Sequence, residues 1–188
     1  MEKAAKKLLD YSVRQGYVQK ECYDEYLYML VMLFHIAATD ITMLMIGLIM
    51  QMPWECIGFW LVYKILRKYA GGFHFSTFFR CYLSSCVMCP IALWLIKFVP
   101  YSVERYTVMM GASVLAVFLL APVEATNKPL DEKEVKVYGR VAKCLALVLF
   151  VIHIFAFCMK LYIVSSVVVW GAAFVLVFMF PRLFAHRK

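Results

Sequence analysis

The sequence predicts an all-α, polytopic membrane bundle of about six apolar helices with an N-terminal amphipathic helix. Three observations predict it. The 188 residues are 64% hydrophobic and only 17% charged, far more apolar surface than one soluble core can hide. The apolar residues fall into six runs, each broken from the next by charge, Pro or Gly. The Lys and Arg residues collect in alternate connections, as they do in chains threaded through a bilayer.

The elements follow in chain order. "MEKAAKKLLDYSVRQ" is charged throughout and has no apolar core of a signal peptide. Ala5, Leu9 and Val13 recur at i, i+4 with Leu8 beside them, the spacing of an amphipathic helix. Residues 1–25 therefore read as a cytoplasmic segment, either a solvated lead-in or a helix that lies on the membrane or holds a peptide. The runs at about 26–52 and 161–180 are easy spans, since a straight helix needs roughly 20 residues to cross the hydrocarbon core. The run at 53–66, "PWECIGFWLVYKIL", is short. It either crosses with snorkelling ends and a thinned bilayer or is re-entrant. The runs at 82–99, 106–123 and 144–159 complete the set, and with no repeat or low-complexity tract the chain reads as one domain, 1–188.

Of the 20 Lys and Arg residues, only Lys97, Arg105 and Lys160 fall on one side of a six-span arrangement. The others lie in the N-terminal segment, the second-to-third and fourth-to-fifth connections, and the tail. Basic short loops stay cytoplasmic, so both termini and the 67–81 loop are expected in the cytoplasm. The net charge of +8 is then a product of topology and of attraction to anionic lipid. No nucleic-acid partner is needed to explain it.

The seven cysteines follow no secreted-domain spacing, and free thiols are expected. Cys56, Cys144 and Cys158 read as small apolar side chains on helices. Cys81 has a different setting, within "RKYAGGFHFSTFFRCYLSSC" at 67–86. Gly71 and Gly72 allow a sharp turn, and Ser76 or Thr77 can cap a helix that runs on into the third span. Cys81 then lies in its opening turns, beside Arg80 and near Arg67 and Lys68. Helix N-termini and nearby cations favour a thiolate, and His74 within hydrogen-bond reach would complete an activated nucleophile. One unbroken helix from 74 to 81 would hold the two about 10 Å apart along its axis, so His74 must stand outside the helix.

Two other readings stay open at this point. His74 and Cys81 can be an interfacial histidine and an unrelated thiol. Alternatively Cys81, Cys86 and Cys89, spaced C-x4-C-x2-C, can hold a metal with His74 as fourth ligand. Against a metal, no second Cys/His cluster exists in the sequence, and Cys86 and Cys89 lie where a helix enters the bilayer, where small residues pack helices together. No metal and no cofactor is expected.

"RKYAGGFHFSTFFRC", followed some forty residues later by "APVEATNKPL", resembles the accessory gene regulator B family, bacterial integral-membrane cysteine endopeptidases that process a quorum-sensing propeptide. Arg67, Lys68, the Gly71–Gly72 turn, His74 and Cys81 carry the first motif; Ala121, Pro122, Asn127, Lys128 and Pro129 carry the second. The resemblance implies Cys81 as nucleophile and His74 as general base, with Arg67, Lys68, Gly71, Gly72, Asn127, Lys128 and Pro129 as substrate-binding or structural positions. It also implies a small propeptide substrate and a multi-pass position in the cell membrane, with a homodimer left open. The chemistry implied is attack on a propeptide carbonyl, a thioester acyl-enzyme, release of an acidic tail, and ring closure to a thiolactone or lactone. Phe73, Phe75, Phe78 and Phe79 would help exclude water, or form an interfacial aromatic belt.

Asp40 and Glu55 are costly in lipid and are expected to face protein or a wet cavity. Glu124, beside the second motif, is the candidate to orient His74 as the third member of a triad. His35 and His153 are expected to bond within the bundle. The competing class is a small non-enzymatic transporter with intramembrane acids as coupling sites. A neighbouring reading frame for a short peptide with an amphipathic head, a central Cys or Ser and an acidic tail would favour the peptidase.

Overall fold

A computed structural model describes residues 2–72, 77–123 and 131–185, with side chains as far as Met179. The described residues form seven α-helices: α1 (Glu2–Arg14), α2 (Tyr23–Ile49), α3 (Pro53–Ala70), α4 (Phe78–Phe98), α5 (Val103–Leu120), α6 (Glu132–Cys158) and α7 (Tyr162–Ala185). Five stretches among them are long and apolar enough to cross a membrane: Lys20–Ile49, α4, α5, α6 and Tyr162–Met179. The molecule is a polytopic helical membrane protein.

The chain divides into two units, residues 1–43 and 44–188. In the first, Ala5 and Leu9 of α1 are buried, the stripe that the i, i+4 spacing predicts, and Val13 is half-buried. Gly16, at φ +74, follows the end of α1, and the Tyr23 hydroxyl donates to the Asp10 carboxylate at 2.8 Å. Along α2, Thr39 and Thr42 return their hydroxyls to the His35 and Ala38 carbonyls, a back-bond that satisfies a hydroxyl in an apolar helix.

In the second unit the end of α2 turns through Gln51, at φ 58, and Pro53 at the first position opens α3, where its missing N–H costs nothing. Cys56, Phe59, Tyr63, Leu66 and Ala70 are buried, alternating three and four apart along one face. That face packs chiefly on α7 and also meets α4 and α6; α5, α6 and α7 pack on one another. Lipid gives helices no hydrophobic drive to associate, so close approach at small residues matters. A Cβ on Gly171 would stand 2.7 Å from Val62 Cγ1, and one on Gly58 would stand 3.0 Å from Val167.

The end of α3 and the start of α6 differ from the apolar runs. Helix α3 continues past residue 66 through Arg67 and Lys68 to Ala70, so these two cations sit on its last turn and the loop proper begins at Gly71. Carrying Glu55, Lys64, Arg67 and Lys68, α3 is not among the five apolar stretches, although it is embedded in the bundle. Helix α6 begins at Glu132, twelve residues before its apolar run. The Asp131 N–H donates to Glu134 Oε2 at 3.2 Å, one half of a capping box. Lys133, Lys136, Arg140 and Lys143 therefore belong to a helix rather than to a connection.

At the end of the bundle opposite residues 71 and 123, His153 is fully buried. Its Nδ1 is 2.7 Å from Ser165 Oγ and its Nε2 3.2 Å from Thr107 Oγ1. Ser165 Oγ is also 3.1 Å from the Tyr101 hydroxyl. Both imidazole nitrogens thus have hydroxyl partners on α5 and α7, as expected of a histidine bonded within the bundle.

Candidate active site

The site is built where α3 ends. Gly71, at φ +75, and Gly72, at φ +131, turn the chain in conformations that side chains rarely adopt. The turn is held by a distant segment: the Val123 N–H donates to the Ala70 carbonyl at 2.9 Å, and the Gly72 N–H donates to the Val123 carbonyl at 3.1 Å. Gly71 and Val123 thus form an isolated parallel bridge, which joins the turn of the first motif to the lead-in of the second. Neither glycine has room for a side chain. A Cβ on Gly71 would overlap the Val123 carbonyl, and one on Gly72 would stand 2.8 Å from the Phe178 carbonyl and 3.2 Å from Arg67 Nη1.

Arg67 lies one turn before the glycines. Its guanidinium is 4.6 Å from the ring centre of Phe178 on α7 and 5.7 Å from that of Tyr63 on α3, contacts worth about 0.5–2 kcal/mol each where water is thin. Tyr63 is buried. Lys68, exposed, stands 5.3 Å from the Tyr69 ring. Tyr69 in turn meets Tyr138 of α6 edge-on at 5.7 Å. A Cβ on Gly139 would be 3.0 Å from Pro122 Cδ, so α6 backs the second motif closely.

Cys81 is the fourth residue of α4, after Thr77 at the N-cap position with φ −125 and ψ 142. Its N–H reaches the Thr77 carbonyl at 3.3 Å and its carbonyl accepts from Ser85 Oγ at 3.2 Å. The expected opening-turn position of Cys81 is therefore observed, with a half-buried side chain. Phe78 and Phe79 ahead of it are exposed. From Arg80 an open groove of about 490 Å³ runs down between α4 and α7, lined by Leu83, Val87 and Ile91 opposite Phe174, Val177 and Phe178. Cys81 is thus a half-buried thiol in the first turns of α4, next in sequence to Arg80, which heads that groove.

His74, Ser76, Phe73 and Phe75 lie outside the described residues, as do Glu124, Asn127, Lys128 and Pro129. Of the predicted positions, the structure brings Arg67, Gly71 and Gly72 together at one turn and sets Cys81 at the start of the next helix. The Cys89 sulfur faces Cys56 on α3 at 3.6 Å, and among the described residues no group of three His, Cys, Asp or Glu side chains is placed to hold a metal ion. Val123, Tyr63 and Phe178 are the supporting residues that sequence reasoning misses. Tyr63 stands four before Arg67 and was open to i, i+4 reasoning. Val123 and Phe178 are brought in by tertiary contact and carry no local signal.

A family model described as Accessory gene regulator B matches residues 2–180, nearly the whole chain. No curated protein and no solved structure matches it.

Proposed function

The chain belongs to the accessory gene regulator B family, whose role is quorum-sensing peptide processing, and from that premise we propose that it is a membrane-embedded cysteine endopeptidase. Cys81 attacks a carbonyl in the C-terminal part of a small propeptide, with His74 taking the thiol proton as general base. The bond to the acidic tail breaks and the tail leaves with its new amine protonated. The remaining peptide is held as a thioester on Cys81. A thiol or hydroxyl within that peptide then attacks the thioester, regenerates the Cys81 thiol and closes a thiolactone or lactone ring.

The observation that carries this reading is the backbone bridge between Gly71–Gly72 and Val123. His74 follows Gly72 by two residues and Glu124 follows Val123 directly. Chain connectivity allows at most about 3.8 Å per residue, and on that ground His74 and Glu124 are proposed to meet beside this bridge. Glu124 is proposed to orient His74. Asn127, Lys128 and Pro129, on the same segment, are proposed to position the substrate with Arg67 and Lys68. A cytoplasmic site and cytoplasmic termini follow from the distribution of basic residues.

Purified protein in liposomes, given a short peptide with an amphipathic head, a central Cys or Ser and an acidic tail, tests the reading. Cleavage should survive strong chelators, stop with a thiol alkylator, vanish in Cys81→Ala and persist within about threefold in Cys86→Ala. Loss on chelation with recovery on adding zinc, or equal inactivity of Cys86→Ala and Cys81→Ala, would overturn it.

A further inference from the structure

Two cysteines that take no part in the proposed chemistry face each other inside the bundle. Cys56, in the first turn of α3, and Cys89, midway along α4, are 1% and 0% exposed, and their sulfurs are 3.6 Å apart across 33 residues of sequence. We propose that Cys56 and Cys89 are a redox pair that closes to a disulfide joining α3 to α4, oxidised by organic hydroperoxides dissolved in the bilayer.

The geometry favours this pair over every other. A disulfide needs its sulfurs about 2.05 Å apart, so roughly 1.5 Å of sulfur movement completes the bond. Cys56 has little freedom to turn away. A Cβ on Gly47, at the end of α2, would stand 2.6 Å from Cys56 Cβ and 3.0 Å from its sulfur, so α2 packs closely against that side chain. The Cys56 N–H is also fixed to the Met52 carbonyl at 3.0 Å. Cys86, one turn before Cys89, is only half-buried, whereas the Cys89 sulfur meets that of Cys56 at 3.6 Å.

The step balances with one hydroperoxide. One thiol sulfur attacks the outer peroxide oxygen, the O–O bond breaks, an alcohol leaves with a proton, and a sulfenic acid remains. The second thiol attacks that sulfur, the S–O bond breaks, and water leaves with the second proton as the S–S bond forms. Two electrons pass from the sulfurs to the peroxide. Burial keeps the pair from bulk water, and an apolar hydroperoxide partitions into the surrounding apolar helices more readily than a charged oxidant. The closed loop contains Arg67, the Gly71–Gly72 turn and Cys81, so the bond would pin together the two helices that bracket that segment. This inference does not depend on the proposed peptidase activity.

The test uses the full chain with Cys22→Ala, Cys81→Ala, Cys86→Ala, Cys144→Ala and Cys158→Ala, so that the exposed and half-exposed thiols cannot consume oxidant, purified in detergent micelles and treated with cumene hydroperoxide. After unfolding, the treated chain should show two fewer titratable thiols. Mass spectrometry without reduction should find the segments around Cys56 and Cys89 joined, and dithiothreitol should separate them. The same chain unfolded in detergent before oxidation should give at least tenfold less of this link, and Cys89→Ser, checked for a monodisperse elution profile, should give none. Both thiols remaining reduced, oxidation of Cys56 or Cys89 to isolated sulfinic acids, or equal linkage in the unfolded chain would overturn the proposal.

Discussion

Gly71 and Gly72 are the residues on which the candidate site turns, and each is required twice over. Their φ values of +75 and +131 exclude ordinary side chains, and the places where a Cβ would go are taken by the Val123 and Phe178 carbonyls. Gly16 offers a control: its φ is +74, yet nothing lies within 4 Å of its Cβ position. Gly16→Ala meets conformational strain alone, about 1 kcal/mol, and should leave propeptide cleavage within about twofold. Gly71→Ala meets similar strain and must also push Val123 away, breaking the bridge, with a cost of about 1–3 kcal/mol or more. It should lower cleavage at least tenfold per molecule of membrane-inserted protein, measured by product formation normalised to immunoblot. Equal activity of the two variants would contradict a role for the bridge. The turn was legible in the sequence because glycine pairs signal it locally. Its partner Val123 was not, since a backbone hydrogen bond between residues 72 and 123 leaves no mark on side-chain type.

Helices α3 and α6 show why hydropathy marks spans better than it marks helices. The apolar run of α3 stops before Arg67, but the helix does not, because Arg67 finds the faces of Phe178 and Tyr63 and only Gly71 ends the turn. Helix α6 starts at a capping signal, Asp131 with Glu134, well ahead of its lipid-length apolar stretch. At 18 residues α3 is about 27 Å long, enough to cross most of the hydrocarbon core despite its charges. The hydrogen bonds of Val123 with Ala70 and Gly72 also require α4 and α5 together to return the chain to one side. If α3 crosses, single cysteines placed at Thr77 and within 125–135 should react with an impermeant maleimide only from the cytoplasmic face, and cysteines within 100–104 only from outside. Labelling of Thr77→Cys and of residues 100–104 from the same face would contradict this arrangement of spans.

At the scale of the whole molecule, 64% hydrophobic residues made the membrane class plain, and the bias of 17 of the basic residues to one side suggested the orientation. Composition could not reveal that α7 is the helix against which α3, α4, α5 and α6 all pack, because every apolar run looks alike before tertiary contacts form. Nor could it reveal that Cys89 turns toward Cys56. The central claim is that this membrane bundle presents Cys81 as a nucleophile toward a propeptide. Rapid mixing of the reconstituted protein with propeptide, followed by acid quench and intact-protein mass spectrometry, tests it most directly. The account predicts an adduct with the mass of the propeptide lacking its C-terminal tail, located on Cys81, released by hydroxylamine as a thioester is, and absent from Cys81→Ala. In His74→Ala it should form slower by about 10²- to 10⁴-fold. An adduct on Cys86 or any other cysteine, or cleavage by Cys81→Ala at the wild-type rate, would contradict it.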